Sequence, residues 1–389
     1  MKRGKPAVRW TAALCALLCL PLLLALAAHV GAGDGETAGS SAAAEPAAAF
    51  ERQLNNRIAD TLSRLPQLPV TIKKVYALSE DTVVAPKPNP AGYGLSWDGA
   101  DTRPILAAAE KLLDGETLLW QPELERMPGT PVRWYRDESI LALAWKEVVG
   151  GDAAFSFTEV KLAHPSQFRR YLADNSFASP IQYPPSQLAG TVQAVCAMNG
   201  DFYKFRSMGT VVYNRRLYRM DDGRLDTCYV DARGDFHFFR AGTQTTEEEV
   251  QRYVEDADIL FSLAFGPVLI DGGVDLCPGT YPVGEVDRSY SRACVCQLGE
   301  LHYLFVTVNF EGPYAGVGTI RSLTDALLAR GVPKAYCLDG GQTSTLIFGG
   351  TVFNHVDWGT ERAVSDILYC ATAIPETEWA GAGEEAAHG

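Results

Sequence analysis

Four short polar clusters interrupt the apolar, strand-like stretches of this sequence, and they contain the residues that could do chemistry. The clusters cover residues 199–203, 265–273, 338–345 and 359–366. In the third, a strand-like run ends at Asp339, two glycines follow, and hydroxyl residues come next. This order predicts a turn in which a carboxylate and backbone N–H groups face a common ligand oxygen. A tight turn with a capping aspartate is the alternative interpretation.

The elements that would position these clusters are mostly strands. From about residue 155 onward, apolar strand-like runs follow one another, separated by tight-turn signals. Three helices are expected there: one over 165–174, one that starts at Thr245 with Glu248 completing a capping box, and one over about 320–330. The pattern predicts an α+β fold with a mixed, strand-rich sheet and a few covering helices, and not a regular βαβ array.

The N-terminus indicates export. Basic residues up to Arg9 precede an uncharged run from Trp10 to Val30, which is long enough for a membrane-spanning helix or a signal-peptide core. Either reading places the rest of the chain outside the cytoplasm, with the membrane contacted through this segment. The sequence predicts five segments. A signal peptide or anchor covers 1–32, and a linker with an amphipathic helix covers 33–69. A small accessory α+β segment over 70–151, the catalytic domain over 152–376 and a disordered tail over 377–389 follow.

Composition restricts the partners and cofactors. The formal net charge of -13 disfavours nucleic acid as a partner, because an acidic surface repels phosphate backbones. Seven of the nine cysteines lie outside the apolar run, so at least one is unpaired within the chain. Cys294 and Cys296 would share one side of a strand, a poor arrangement for zinc. We expect no cofactor, and a calcium ion held by aspartate and backbone oxygens stays an open alternative.

The region from about residue 155 to 376 resembles the phosphodiester glycosidase family, in its Gram-positive bacterial branch. The resemblance rests on the block 199–202, the Gly266-Pro267 turn, Arg292, the stretch 318–327, the turn 338–341 and the pair Glu361-Arg362. The chain departs from the family pattern in two regions. Gln342 and Thr343 stand where many members have a third glycine and then a serine, and the run Asn309-Phe310-Glu311-Gly312 stands where many have Asp-Gly.

The resemblance implies a hydrolase that cuts the bond between a sugar and a phosphodiester. Positive charge then builds on the sugar ring and negative charge on the leaving phosphate, so carboxylates and guanidinium or N–H donors are required. The expected catalytic residues are Asp339, Glu361, Asp271 and Glu311. The expected substrate-binding residues are Asn199, Asp201, Arg292, Gly340, Gly341, Thr343, Ser344 and Arg362. The two arginines suit the phosphate, and Asn199 and Asp201 would fix sugar hydroxyls.

The expected substrate is a carbohydrate phosphate, such as a cell-envelope polysaccharide. The alternative function is a binding protein that holds a sugar phosphate of the cell wall or exopolysaccharide without cleaving it. The departure at Asn309 favours this alternative, whereas the intact turn at Asp339 favours the enzyme.

Overall fold

Antiparallel strands form three sheets in the part of the chain that the computed structural model describes, which is residues 76–79, 83–97, 99–220, 223–244, 246–316 and 318–380. The first sheet contains β1 (Tyr93–Ser96), β2 (Val132–Arg136), β3 (Ile140–Val149), β4 (Ala153–Leu162), β12 (Val268–Asp271), β13 (Val274–Asp275), β14 (Arg292–Gly299), β15 (His302–Asn309) and β16 (Lys334–Leu338). Within the described residues its order is β1-β2-β3-β4-β15-β14-β16-β12-β13.

Two smaller sheets cover one face of the first. The second sheet has the described strands β7 (Val211–Tyr213), β8 (Arg216–Arg219), β9 (Thr227–Asp231), β10 (Phe236–Phe239) and β11 (Ile259–Leu263), in the order β10-β9-β11-β7-β8. The third has, over the same described ranges, β5 (Phe168–Leu172), β6 (Cys196–Asn199), β17 (Leu346–Phe348), β18 (Thr351–Val352) and β19 (Asp366–Cys370), in the order β18-β17-β6-β19-β5.

Helices cover the outer faces of the sheets. Their bounds in the described chain are α1 (Arg103–Ala108), α2 (Glu110–Leu113), α3 (Pro185–Thr191), α4 (Glu247–Asp256), α5 (Ile320–Leu328) and α6 (Glu376–Ala380). Side chains point to alternate faces along a strand, and consecutive residues of β3 and β4 are buried, so the first sheet is covered on both faces. One face packs on the two smaller sheets, and the other packs on α5 and the segment around Leu118. Helix α4 packs on the second sheet and α3 on the third.

The α+β prediction is confirmed, and the helices expected near 245 and 320 are present, the former with Thr246 and Glu249 as its capping box. The helix expected over 165–174 is wrong, because residues Phe168–Leu172 form β5 instead. In this strand the buried side chain of Arg170 meets Asp366 on the neighbouring β19. A long-range ion pair of this kind overrides the local helical pattern.

The division expected at residue 152 differs from the observed architecture. Strands β3 and β4 lie on either side of it and pair along their whole length, from Ile140 with Leu162 to Val149 with Ala153. All the described residues belong to one compact unit. The segment expected to be accessory therefore supplies three strands of the largest sheet.

The predicted signal or anchor over 1–32, the helix and linker over 33–69 and residues 381–389 of the predicted tail lie outside the described residues. Within the described ranges, none of the helices has the length and apolarity needed to span a bilayer.

Candidate active site

The turn that begins at Asp339 follows β16 and is held against Ser291, the residue before β14. Gly341 has φ +63° and its N–H donates to the carbonyl oxygen of Ser291 at 2.7 Å. A Cβ atom on Gly340 would lie 2.6 Å from the same oxygen, so only glycine allows this close approach. The Gly341 N–H is thus bound within the protein, and the two glycines let the turn pack instead of presenting this donor to a ligand.

Asn199 fastens both ends of the turn from the neighbouring sheet. Its buried side chain donates from Nδ2 to the Asp339 carbonyl oxygen at 2.8 Å and accepts at Oδ1 from the N–H of Thr345 at 3.1 Å. The carbonyl oxygen of Ser344 accepts from Asn309 and Asn354. Asn199 therefore braces the turn, and the sugar contact expected of it does not fit its burial and its bonds.

The Asp339 carboxyl lies in an environment that favours its neutral form. Burial raises its pKa from 3.8 to about 6, while the Thr343 hydroxyl and the charges of Arg362 and Arg206 lower it, and the charge of Asp201 raises it. The Thr343 hydroxyl donates to the Gly340 carbonyl oxygen at 2.6 Å. The site thus contains a carboxyl group whose pKa is raised by burial and lowered in part by the charges of two guanidinium groups.

Asp201 is engaged with Arg206, a residue that the sequence analysis did not select. Asp201 accepts at Oδ1 from Arg206 Nη2 and at Oδ2 from the Ala264 N–H, both at 2.8 Å. Its side chain is fully buried. Asp201 therefore holds an arginine in place, which differs from the sugar contact expected of it. The available signal was a basic residue five positions after Asp201 in the same polar loop.

A second ion pair lies beneath the first. Arg170 Nε donates to Asp366 Oδ2 at 2.8 Å, and the Asp201 N–H donates to the same oxygen at 3.1 Å. Burial raises the pKa of Asp366 to about 6, and Arg170 opposes this change. Gly200 is required here, because a Cβ atom would lie 2.2 Å from Asp366 Oδ2. We call Arg170, Asp201, Arg206 and Asp366 the site cluster.

Arg362 is exposed and lies over two aromatic rings of the loop after β6. Its guanidinium carbon is 6.0 Å from the Phe202 ring centre and 5.8 Å from that of Phe205. Arg206 lies over the same Phe202 ring at 5.9 Å. The structure therefore brings Asp201, Asp339, Thr343 and Arg362 together, as the sequence predicted, and adds Arg206.

Two predicted residues near this turn have other partners. Glu361 accepts from the N–H and the hydroxyl of Ser186 in α3, at 2.8 and 2.5 Å. Arg292 is buried, and its guanidinium donates to the backbone carbonyl oxygens of Gly284, Glu285, Arg288 and Gly318. Arg292 therefore organises the loop before β14, and Glu361 holds the first turn of a helix.

Two further carboxylates that the sequence analysis selected, Asp271 and Glu311, lie on the largest sheet or shortly after one of its strands. Asp271 ends β12, which is antiparallel to β16, with Ile270 opposite Ala335. It lies at the other end of β16, roughly 13 Å from the end that leads into Asp339. Glu311 follows β15 and forms an ion pair with Lys146. Asp271 is thus separated from Asp339 along β16, and the catalytic role expected of Glu311 stays a prediction.

No group of three His, Cys, Asp or Glu side chains within the described ranges is arranged to hold a metal ion. Cys294 and Cys296 do share one side of β14, with their sulfur atoms 3.9 Å apart. Around Asp339 the described side chains supply a carboxylate and two guanidinium groups on aromatic walls. Such a group can bind an anion and place a negative charge beside it.

Part of the chain is similar to a known protein family. Residues 192–371 match the family model for phosphodiester glycosidase. No curated protein matches the chain. A solved hypothetical protein from Synechocystis is 15% identical with a TM-score of 0.48, over 62% of this chain and 64% of that one.

The auto-inhibited catalytic domain of zebrafish N-acetylglucosamine-1-phosphodiester alpha-N-acetylglucosaminidase is also 15% identical with a TM-score of 0.48, over 64% of this chain and 86% of that one. Membership of the Gram-positive branch stays a prediction. The family resemblance of the sequence is confirmed, and the chain carries a phosphodiester glycosidase domain at residues 192–371.

Proposed function

We propose that this protein hydrolyses the glycosidic bond between a sugar and a phosphodiester. In the reaction, the bond between the anomeric carbon and the phosphate oxygen breaks, and the electron pair leaves with the oxygen. A water oxygen forms the new bond to the anomeric carbon, and the proton lost from water goes to solvent or to the phosphomonoester. The products are a free sugar and the phosphomonoester of the remaining group.

The observation that carries the proposal is the environment of Asp339. Its carboxyl group has a pKa raised to about 6 and stands beside the charges of Arg362 and Arg206. Above this pKa the carboxylate can stabilise an oxocarbenium-like sugar ring, while a guanidinium group stabilises the departing phosphate. The family match over residues 192–371 supports the same reaction.

The proposed location is the extracytoplasmic side of a membrane, and the proposed substrate is a sugar phosphate of the cell envelope. The support is the basic flank followed by the uncharged run from Trp10 to Val30.

One observation favours the second candidate, a protein that binds a sugar phosphate without cleaving it. Of the four carboxylates expected to be catalytic, only Asp339 lies beside the guanidinium groups, while Glu311 and Glu361 are bound elsewhere. A binding protein needs no second carboxylate, whereas many glycosidases use two.

The deciding experiment is incubation of the protein with a panel of sugar-1-phosphodiesters, followed by phosphorus NMR and a reducing-sugar assay. The expected result is equal release of free sugar and phosphomonoester. The matched control uses the methyl glycoside of the same sugar, which lacks the phosphate and should persist. Saturable binding of the phosphodiesters without any turnover would support the binding protein and reject the hydrolase.

A further inference from the structure

Arg206 has hydrogen-bond donors that no described residue satisfies. Only 7% of its side chain is exposed. Its Nη2 donates to Asp201 Oδ1 at 2.8 Å and to the Ala264 carbonyl oxygen at 2.7 Å. Its Nε and Nη1 are buried, and neither has a hydrogen-bond partner among the described residues.

Unsatisfied buried donors are uncommon because each one costs about 1 to 3 kcal/mol. Arg292 is fully satisfied in the same molecule, since its Nε, Nη1 and Nη2 all donate to backbone carbonyl oxygens. Arg206 is thus held in place by one nitrogen, while its other two nitrogens are buried without an acceptor among the described residues. A ligand with several acceptor oxygens would satisfy them.

The surroundings of Arg206 strengthen its attraction for an anion. Its guanidinium carbon lies 5.0 Å from the Phe265 ring centre and 5.9 Å from that of Phe202, so aromatic walls limit the access of water. Its compensating carboxylate, Asp201, is shared with Arg170, whose Nη2 lies 3.8 Å from Asp201 Oδ2. A charge at such a site interacts more strongly with a ligand than a charge in bulk water.

The position also suits a phosphate at the reacting bond. Arg206 and Arg362 both lie over the Phe202 ring, 5.9 and 6.0 Å from its centre, and the charges of both guanidinium groups lower the pKa of Asp339. A phosphodiester carries one negative charge, and the departing phosphomonoester gains a second. A guanidinium group at this place therefore favours the transition state over the bound substrate.

We propose that Arg206 is a catalytic residue that binds the phosphate of the substrate through Nε and Nη1. This inference rests on the proposed function for the identity of the reaction. The binding of a phosphate oxyanion by Arg206 can be measured without any turnover.

The test is Arg206→Lys in the full chain, because lysine keeps the positive charge that Asp201 requires and removes the separate N–H groups. Calorimetry with inorganic phosphate measures binding, and hydrolysis of a sugar-1-phosphodiester measures catalysis. We expect at least tenfold weaker phosphate binding and about a hundredfold lower kcat/KM, with an unchanged melting temperature.

The matched control is Arg215→Lys. Arg215 also pairs with an aspartate, Asp258, at 2.5 Å, but at the other end of β11 from Ala264. We expect this variant to bind phosphate and hydrolyse substrate within about twofold of the wild type, since it is roughly 20 Å away along the strand.

The two proposals fail in different ways. If the wild type does not bind inorganic phosphate, or if Arg206→Lys binds it equally well, the role of Arg206 is overturned whatever the turnover. If phosphate binding depends on Arg206 but no sugar-1-phosphodiester is hydrolysed, the anion site stands and the proposed hydrolase is rejected.

Discussion

Two ionic clusters in this molecule have similar composition but differ in how many of their polar atoms have hydrogen-bond partners. The first is the site cluster. The second, which we call the His302 cluster, consists of Glu116, Glu159, Lys161 and His302. His302 contacts Glu159 from Nε2 at 2.8 Å and Glu116 from Nδ1 at 3.1 Å. Glu159 also accepts from the N–H groups of Leu119 and Trp120, and Lys161 pairs with Glu116 at 2.8 Å.

The two clusters differ in the polar atoms that lack a hydrogen-bond partner. In the His302 cluster the carboxylate oxygens, the ring nitrogens and the lysine nitrogen all have protein partners. In the site cluster, Arg206 Nε and Nη1, Arg170 Nη2 and Asp366 Oδ1 lack hydrogen-bond partners among the described residues. A complete cluster serves the fold, since it joins the segment around Trp120 to the sheet. In the site cluster, the unpartnered donors of Arg206 are the ones that we propose bind a phosphate.

Among the changes that test the difference between the two regions, Asp339→Asn, next to the site cluster, should have the largest effect on turnover. It removes the charge at the site and keeps the shape of the side chain, so we expect turnover of a sugar-1-phosphodiester to fall about a hundredfold or more. Stability at pH 8 should rise by at most about 3 kcal/mol, because ionising a carboxyl group with a raised pKa opposes folding. Enzyme assays and thermal melts at this pH test both. Near-normal turnover would remove Asp339 from the mechanism.

The pH dependence gives the next largest effect. If ionised Asp339 is required, kcat/KM should rise about tenfold per pH unit below pH 6 and level off above it. The folded pKa lies above the ordinary value of 3.8, so the folded protein binds this proton more tightly and stability falls as pH rises from about 4 to about 6. A pH–rate profile tests the first statement and melts across the same range test the second. A rate that falls on passing above pH 6 would instead make Asp339 a proton donor.

His302→Gln should affect stability alone. Glutamine retains a single amide donor group and cannot bridge Glu116 and Glu159 as the ring does, so we expect a loss of about 3 kcal/mol in the free energy of unfolding. Turnover and phosphate binding at a temperature where the variant is folded should remain within about twofold. Urea denaturation and the phosphodiester assay provide the two measurements. A selective loss of turnover would show that completeness does not separate the two clusters.

Glu361→Gln should have the smallest effect. Glutamine keeps one acceptor for Ser186, so we expect a loss of about 1 kcal/mol of stability and less than a threefold change in turnover. Ser186→Ala is the matched control, because it removes one of the same hydrogen bonds from the other side. A hundredfold loss of turnover in Glu361→Gln alone would restore the catalytic role predicted from the sequence.

The sequence predicted the fold class and the turn at Asp339 because both depend on local signals. Strand-like runs and a carboxylate followed by glycines are visible without tertiary contacts. Asp271 was misjudged because its place depends on the direction of β12, which sequence alone does not reveal. Arg206 was missed because the reason to select it is its unsatisfied N–H donors, and these are visible only once its contacts in the folded protein are known. The phosphate-binding role predicted for Arg292 could not be tested from sequence for the same reason, since its N–H donors all bind backbone carbonyl oxygens.

The order of strands in the largest sheet has a consequence for how the chain is made. Strand β4 pairs with β15, so the partner of Ala154 is Asn309, which is synthesised much later. Strand β15 in turn pairs with β14, and β14 pairs with β16. Contacts between such distant positions form slowly, and an unpaired apolar strand edge invites aggregation. The β3–β4 hairpin is complete long before its neighbour has been synthesised. During that interval the open edge of β4 can pair with strands of other chains.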